Sequence, residues 1–126
     1  MAIPPSYKSV VVVDDEPAVL QLLTEVVRKA GYVPHPASSA EEAMELLGEV
    51  ASETCLVISD VVMGGMDGRE LAQWIRAQHP ELPVLLVSGY MPDQESLSLP
   101  PGVTFRRKPL SIQEIQELVE DSCGIG

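Results

Sequence analysis

The sequence predicts a three-layer α/β fold of the doubly wound (βα)5 type, with a five-stranded parallel sheet of order 2-1-3-4-5. Short apolar and β-branched runs alternate with helical patterns along the chain, which is typical of parallel strands joined by crossover helices. The second and fifth runs carry features of sheet edges. The 126 residues are enough for a single domain, 1–126, with a core of about 8–122.

The predicted strands are Ser9–Val13, Tyr32–Ala37, Cys55–Ser59, Pro83–Val87 and Val103–Arg107. The first contains four consecutive valines, and such continuous hydrophobicity indicates a strand that is covered on both faces. The second contains two prolines, which cannot donate to a strand ladder, and the fifth contains two arginines. These two strands therefore belong at the edges, which favours the order 2-1-3-4-5.

Helix start signals follow the strands. Pro17 suits the first turn of a helix, and Ser39 and Ser111 are each followed three residues later by a glutamate, as in a capping box. Asp67 opens the third helical pattern. The segment 91–102 is predicted to be the least regular, with a short helix over Asp93–Leu97 that the following prolines end.

Composition narrows the class of protein. The formal net charge of −11 argues against sequence-independent binding to nucleic acid, which needs a basic surface. No apolar run approaches the length of a membrane span, and the first residues lack a signal-peptide pattern, so we expect a cytoplasmic protein. In that reducing compartment, Cys55 and Cys123 are predicted to be unpaired thiols.

Three acidic residues follow the carboxyl ends of neighbouring strands. Asp14 and Asp15 come directly after the first strand, and Asp60 ends the third. In the order 2-1-3-4-5 the sequence of strand addition reverses between the first and third strands, and ligands bind in the crevice at this topological switch point. Three carboxylates cannot all stay ionised in one crevice without a counter-charge, and oxygen ligands favour Mg²⁺. The pattern therefore predicts a magnesium site.

The fourth and fifth strands add a hydroxyl and an ammonium to the same edge, Ser88 and Lys108. A metal, a hydroxyl and a lysine suit an anionic group, most simply a phosphoryl group, and Asp60 is the best-placed nucleophile. Each residue also has an ordinary interpretation. Asp60 could cap a loop, Ser88 could end a strand, and Lys108 could be a solvated surface charge.

Taken together, these elements resemble the receiver domain of two-component response regulators, which has a flavodoxin-like fold. The resemblance runs from about Ser9 to Val119 and depends on five separated elements in order. They are Asp14-Asp15, Asp60, the loop Met63–Gly68, Ser88-Gly89 and Lys108-Pro109.

The resemblance implies a set of metal ligands. Asp60 and Asp15 would ligate Mg²⁺ directly, the main-chain carbonyl of Val62 would be a third ligand, and Asp14 would act mostly through water. Mn²⁺ would be able to substitute.

It also implies roles in phosphorylation. Asp60 would accept a phosphoryl group from the phosphohistidine of a kinase, with Ser88 and Lys108 holding the phosphoryl oxygens. Phe105 matches an aromatic switch position that turns inward as Ser88 moves, and the Lys108–Pro109 peptide would be cis. The chain would catalyse only its own phosphorylation and dephosphorylation.

Two glycines affect what is expected of the site, one in the loop after Asp60 and one after Ser88. Gly64 stands where the family usually has proline, which predicts a more flexible loop after Asp60. The triplet Ser88-Gly89-Tyr90 looks like that of receivers attached to sensor histidine kinases, although stand-alone regulators carry it too. Small Gly89 would leave the site open to the donor and to water, so a short-lived aspartyl phosphate is expected.

The expected partners are a histidine kinase or a histidine phosphotransfer protein, and a downstream effector, but neither nucleic acid nor a membrane. The chain is expected to be a monomer or a weak dimer. Other interpretations are an aspartate-nucleophile, Mg²⁺-dependent phosphatase or phosphotransferase, a nucleic-acid-cleaving domain of similar topology, a nucleotide- or flavin-binding domain, and a degenerate receiver that acts by binding alone. The enzymes favour a second acid two residues after the nucleophile, where this chain has Val62. The acidic turn after the first strand would repel a nucleotide phosphate.

Overall fold

The computed structural model describes residues 8–89 and 99–124, and within them it confirms the predicted sheet. All strand pairs are parallel, in the order β2-β1-β3-β4-β5. The strands are β1 (Ser9–Val13), β2 (Val33–Ala37), β3 (Thr54–Asp60), β4 (Val84–Ser88) and β5 (Val103–Arg107). The helices within the described residues are α1 (Pro17–Lys29), α2 (Ala40–Val50), α3 (Gly68–Gln78) and α4 (Ile112–Cys123), and a short 3-10 turn, Ala51–Glu53, follows α2. The helix predicted near Asp93 lies outside the described residues.

The burial of each strand matches its position in the sheet. Every residue of β1 and β4 is buried, as continuous hydrophobicity predicts for central strands. The strands at the two edges are less buried, since β2 is mostly half-buried and β5 is mostly exposed. Register then sets the position of the acids. Val13 pairs with Ser59, and Asp60 pairs with Val87, so β1, β3 and β4 end at nearly the same level.

The predicted helix starts are also present. Pro17 occupies the first turn of α1. The side chains of Asp67 and Ser111 each complete a reciprocal capping box with the glutamate three residues on. Ser39 accepts a hydrogen bond from the Glu42 amide, but the Glu42 carboxylate accepts from Ser38 rather than from Ser39, so the box at α2 is incomplete.

Two apolar layers enclose the sheet. One lies between the sheet and α2 and α3, and the other between the sheet and α1 and α4. Alternate β1 valines point into opposite layers, as the two-residue period of a strand requires. Among the described residues, no helix combines the length and the apolar character needed to cross a membrane.

The cysteine prediction was wrong. Cys55 and Cys123 form a disulfide, and the described residues contain no free cysteine. The two are 68 residues apart in sequence, so their spacing gave no sign of pairing. The last turn of α4 packs beside the start of β3 and brings the two Cα atoms to 5.2 Å, within the range that a disulfide spans.

Candidate functional site

The carboxylates of Asp14, Asp15 and Asp60 converge at the carboxyl ends of β1 and β3. One oxygen of each lies within 4.8 Å of the others. Asp14 is buried, Asp60 is half-buried and Asp15 is exposed, so the cluster runs from the protein interior to the surface. Three carboxylates this close repel one another, and the arrangement requires positive charge to compensate.

Lys108, which directly follows β5, supplies that charge. Its Nζ donates a hydrogen bond to Asp14 Oδ2 at 3.2 Å and lies 3.5 Å from Asp60 Oδ2. The Lys108 amide donates to the Ser88 carbonyl oxygen at 2.8 Å, which fixes the lysine backbone to the end of β4. The peptide from Lys108 to Pro109 is cis, as the resemblance implied.

Asp14 is a buried anion, with 1% of its residue surface exposed. Besides Lys108, it accepts a hydrogen bond from the Glu16 amide at 2.9 Å. An ionised carboxylate is stable in such a position only when it is paired and hydrogen-bonded, and these two donors meet that requirement. Asp14 therefore serves as a fixed anchor for the lysine.

Asp60 is in a different electrostatic position. Burial raises the pKa of its carboxyl above the ordinary value, and the nearby Asp14 charge raises it further. Lys108 and the Val61 backbone amide act in the opposite direction without cancelling the effect of burial. The folded protein thus disfavours a negative charge on Asp60. A bound cation or a covalent modification of the carboxylate would offset this unfavourable energy.

The loop after β3 completes the acidic rim. The Gly64 amide donates to Asp15 Oδ2 at 3.2 Å, and this bond connects the loop to the turn after β1. Val62, whose main-chain oxygen is a predicted ligand, lies in the same loop with an exposed side chain.

Gly68 is a positioning residue that sequence reasoning did not single out. A Cβ atom built there would lie 2.2 Å from the Asp60 carbonyl oxygen and 2.9 Å from the Val61 Cα. The Gly68 amide also donates to the Val61 carbonyl at 2.8 Å. The missing side chain therefore lets the start of α3 press against the backbone of Asp60. The signal in the sequence was a glycine at the first position of a helix, where a side chain is ordinarily tolerated.

Ser88 and Phe105 lie on adjacent strands. Ser88 is buried at the end of β4, and Phe105 is half-buried in β5, where it pairs with Leu86 and packs against the α2 and α3 layer. The predicted site residues thus occupy one edge of the sheet, with Phe105 set further back along β5.

An apolar hollow of about 190 Å³ opens beside the acids, between α1 and the start of α4. It is lined by Val19, Leu22, Leu23, Val87, Pro109, Leu110 and Ile115, together with Asp14, Asp60 and Lys108. The charged groups consequently form one wall of a cavity whose other walls are apolar. This lowers the screening of the charges by water.

Comparison with known proteins defines the class. Residues 10–120 match the family described as response regulator receiver domain, and the chain belongs to that family. It is 36% identical over 115 residues to the sensor kinase CckA of Brucella abortus (strain 2308), an alignment that covers 90% of this chain and 12% of the kinase. The chain thus spans only a small part of that relative.

Solved structures of response regulators and receiver domains superpose on this chain over most of its length. The crystal structure of the receiver domain from the hybrid histidine kinase CckA superposes with a TM-score of 0.78 at 34% identity, covering 91% of this chain and 98% of that one. The response regulator TrrA from Thermotoga maritima, solved in complex with Mg²⁺ and BeF, superposes with a TM-score of 0.74 at 30% identity, covering 90% and 97%.

Proposed function

We propose that this chain is a phosphoacceptor of a two-component phosphorelay, which receives a phosphoryl group on Asp60 from the phosphohistidine of a histidine kinase or histidine phosphotransfer protein. The observation that carries the proposal is the position of Asp60. Its carboxylate lies 3.5 Å from the Lys108 ammonium, in contact range of two further carboxylates, at the mouth of a crevice. The partner class follows from membership of the receiver family.

The transfer can be written with these residues. A carboxylate oxygen of Asp60 attacks the phosphorus, the bond from phosphorus to the histidine nitrogen breaks, and the imidazole leaves with the electron pair. Lys108 lies where its ammonium would pair with a phosphoryl oxygen, and the Ser88 hydroxyl would donate to another. Such a reaction needs positioning and charge neutralisation more than covalent work by the protein.

The donor set fits Mg²⁺. Against three clustered carboxylates, Lys108 is the one ammonium shown to pair with the cluster among the described residues, which leaves an excess of negative charge and oxygen ligands suited to a hard cation. Asp15 and Asp60 would hold the ion directly, the Val62 main-chain oxygen would be a third ligand, and Asp14 would act through water. Bound Mg²⁺, or Mn²⁺ in its place, would neutralise charge on the phosphoryl oxygens. The TrrA relative, solved with Mg²⁺, supports this assignment.

Phosphorylation would then act as a switch. It adds about −1.5 to −2 charge next to Lys108 and Ser88. Ser88 pairs with Arg107 across β4 and β5, and Leu86 pairs with Phe105, so movement of Ser88 towards the phosphoryl group would be felt at Phe105. An effector would read this change. The module would act in the cytoplasm as a signalling protein rather than as an enzyme on a separate substrate.

The proposal is tested by intact mass after incubation with acetyl phosphate, with and without Mg²⁺, on the natural sequence, on Asp60→Asn and on the control Asp121→Asn. Asp121 is an exposed acid of α4 outside the cluster. We expect one phosphoryl adduct that requires both Mg²⁺ and Asp60 and that Asp121→Asn retains. A folded, Mg²⁺-binding protein without an adduct would instead be a degenerate receiver that acts by binding.

A further inference from the structure

The disulfide lies at the end of the sheet opposite the acidic cluster. Cys55 is the second residue of β3, whose last residue is Asp60, and Cys123 is the last residue of α4. Within the described residues, this bond is a covalent cross-link between β3 and the last turn of α4, in addition to the backbone that joins α4 to β5.

The two cysteines differ in exposure. Cys123 has no exposed surface and belongs to the apolar layer between the sheet and α1 and α4. Cys55 is half-buried and lines an open surface hollow of about 660 Å³, together with His79, Glu81 and Ser122. Of the two cysteines, Cys55 is therefore the one on the side from which a small thiol can approach.

The contacts around the bond do not depend on it. Lys8 Nζ donates a hydrogen bond to the Cys123 carbonyl oxygen at 2.9 Å, which holds the end of α4 through its backbone. The Cys55 sulfur lies 3.4 Å from the Ser9 carbonyl oxygen, which can accept a hydrogen bond from the Cys55 thiol after reduction. The reduced protein can thus keep the same arrangement.

We propose that Cys55 and Cys123 form a reversible thiol–disulfide couple, entered through Cys55, whose oxidation fastens the last turn of α4 to the base of β3. Disulfides of proteins in a reducing compartment are usually transient and respond to redox conditions. The couple is separate from the phosphoacceptor chemistry, so either proposal can fail without the other.

Reduction by a thiol such as glutathione balances in two steps. A glutathione thiolate attacks Cys55 Sγ, forms a mixed disulfide and releases the Cys123 thiolate, which takes a proton from solvent. A second glutathione thiolate attacks the glutathione sulfur of the mixed disulfide, releasing the Cys55 thiolate and oxidised glutathione. Because an apolar site disfavours a thiolate, the first step should be slow until the end of α4 opens.

The first test is equilibration of the natural sequence in glutathione buffers of varied ratio, followed by thiol alkylation, intact mass and thermal unfolding. We expect zero alkylated thiols at oxidising ratios and two at reducing ratios, with a cooperative transition in both. Closing a 68-residue loop should raise the melting temperature of the oxidised form by on the order of 10 °C. Absence of an intramolecular disulfide at oxidising ratios, or equal melting temperatures, would overturn the proposal.

The second test uses two single-thiol variants, Cys123→Ala and Cys55→Ser, which both lack the cross-link. With oxidised glutathione, the variant that keeps Cys55 should form its adduct at least roughly tenfold faster than the one that keeps buried Cys123. Equal rates, or a faster adduct on Cys123, would contradict entry through Cys55. The natural-sequence titration gives an independent result if a variant folds poorly.

Discussion

Lys108 donates a hydrogen bond to Asp14 across 3.2 Å, joining residues that are 94 positions apart in sequence. The two ends of this pair differ in exposure, with 29% for the lysine side chain and 1% for the aspartate. The same ammonium lies 3.5 Å from Asp60. A phosphoryl group on Asp60 would therefore compete with Asp14 for a lysine that the resting protein already uses.

Replacement of Lys108 by methionine should destabilise the metal-free protein. It leaves Asp14 buried with the Glu16 amide as its remaining donor, and we expect a loss of about 2 kcal/mol in the free energy of unfolding. Urea denaturation in a chelator measures this loss. Added Mg²⁺ should stabilise the variant more than the natural protein, because the cation replaces the missing positive charge.

The matched control for this change is Lys29→Met. Lys29 is an exposed lysine in the last turn of α1, at the opposite end of that helix from Asp14 and Asp15. Its loss should alter the free energy of unfolding by less than about 0.5 kcal/mol. If both variants lose the same stability, the pair between Lys108 and Asp14 is not what holds the site.

The raised pKa of Asp60 predicts the pH dependence of stability in metal-free buffer. Because the folded state binds the Asp60 proton more tightly than the unfolded state does, this group favours folding fully below its ordinary pKa of 3.8. The contribution is lost as pH rises through the higher folded value. Asp60→Asn does not titrate, so it should be more stable than the natural protein at neutral pH and lose that advantage in acid.

Thermal unfolding of both proteins across this pH range, with a chelator and then with Mg²⁺, checks the prediction. Mg²⁺ should raise the midpoint of the natural protein and have little effect on Asp60→Asn. An asparagine variant that is less stable than the natural protein at neutral pH in chelator would show that Lys108 outweighs the burial of Asp60.

The sheet order could be predicted because the residues of each strand indicate by themselves whether that strand is buried or lies at an edge. The valines of β1, the prolines of β2 and the arginines of β5 each follow from the position of one strand. The acids could be placed for the same reason, since strand ends in a parallel sheet fall at one edge. The disulfide could not be predicted, because it depends on where the end of α4 packs, which no local pattern records.

The pKa shift of Asp60 and the role of Gly68 also depend on three-dimensional packing, so local sequence patterns could not predict them. The direction of the Asp60 pKa shift is a sum of opposing effects from burial, Asp14 and Lys108, and the sequence does not give their distances. Gly68 is required by an approach to the Asp60 carbonyl in three dimensions rather than by an unusual backbone angle.

Gly68→Ala should therefore damage the site, whereas Gly64→Ala should be tolerated. The new Cβ at position 68 would overlap the Asp60 carbonyl, while the one at 64 meets nothing within 4 Å. We expect Gly68→Ala to cost about 2–3 kcal/mol and to reduce the rate of phosphorylation by acetyl phosphate, because α3 and the Asp60 backbone must separate. Unfolding and intact-mass time courses measure both effects. Equal behaviour of the two variants would argue against the close approach.

Gly89 should set the lifetime of the aspartyl phosphate. It directly follows Ser88 and is exposed, and a Cβ atom at this position would meet nothing within 4 Å among the described residues, so Gly89→Val introduces its Cβ without a clash there. The added side chain would narrow the approach of water, and we expect hydrolysis to slow by roughly threefold or more. The lifetime is followed by intact mass after removal of acetyl phosphate. Gly48→Ala on the exposed face of α2, where a Cβ is equally free, is the control and should leave the decay rate unchanged. If the aspartyl phosphate of Gly89→Val decays as fast as that of the natural protein, access of water past position 89 does not limit hydrolysis. A long-lived aspartyl phosphate on the natural protein would contradict the expectation that Gly89 leaves the site open.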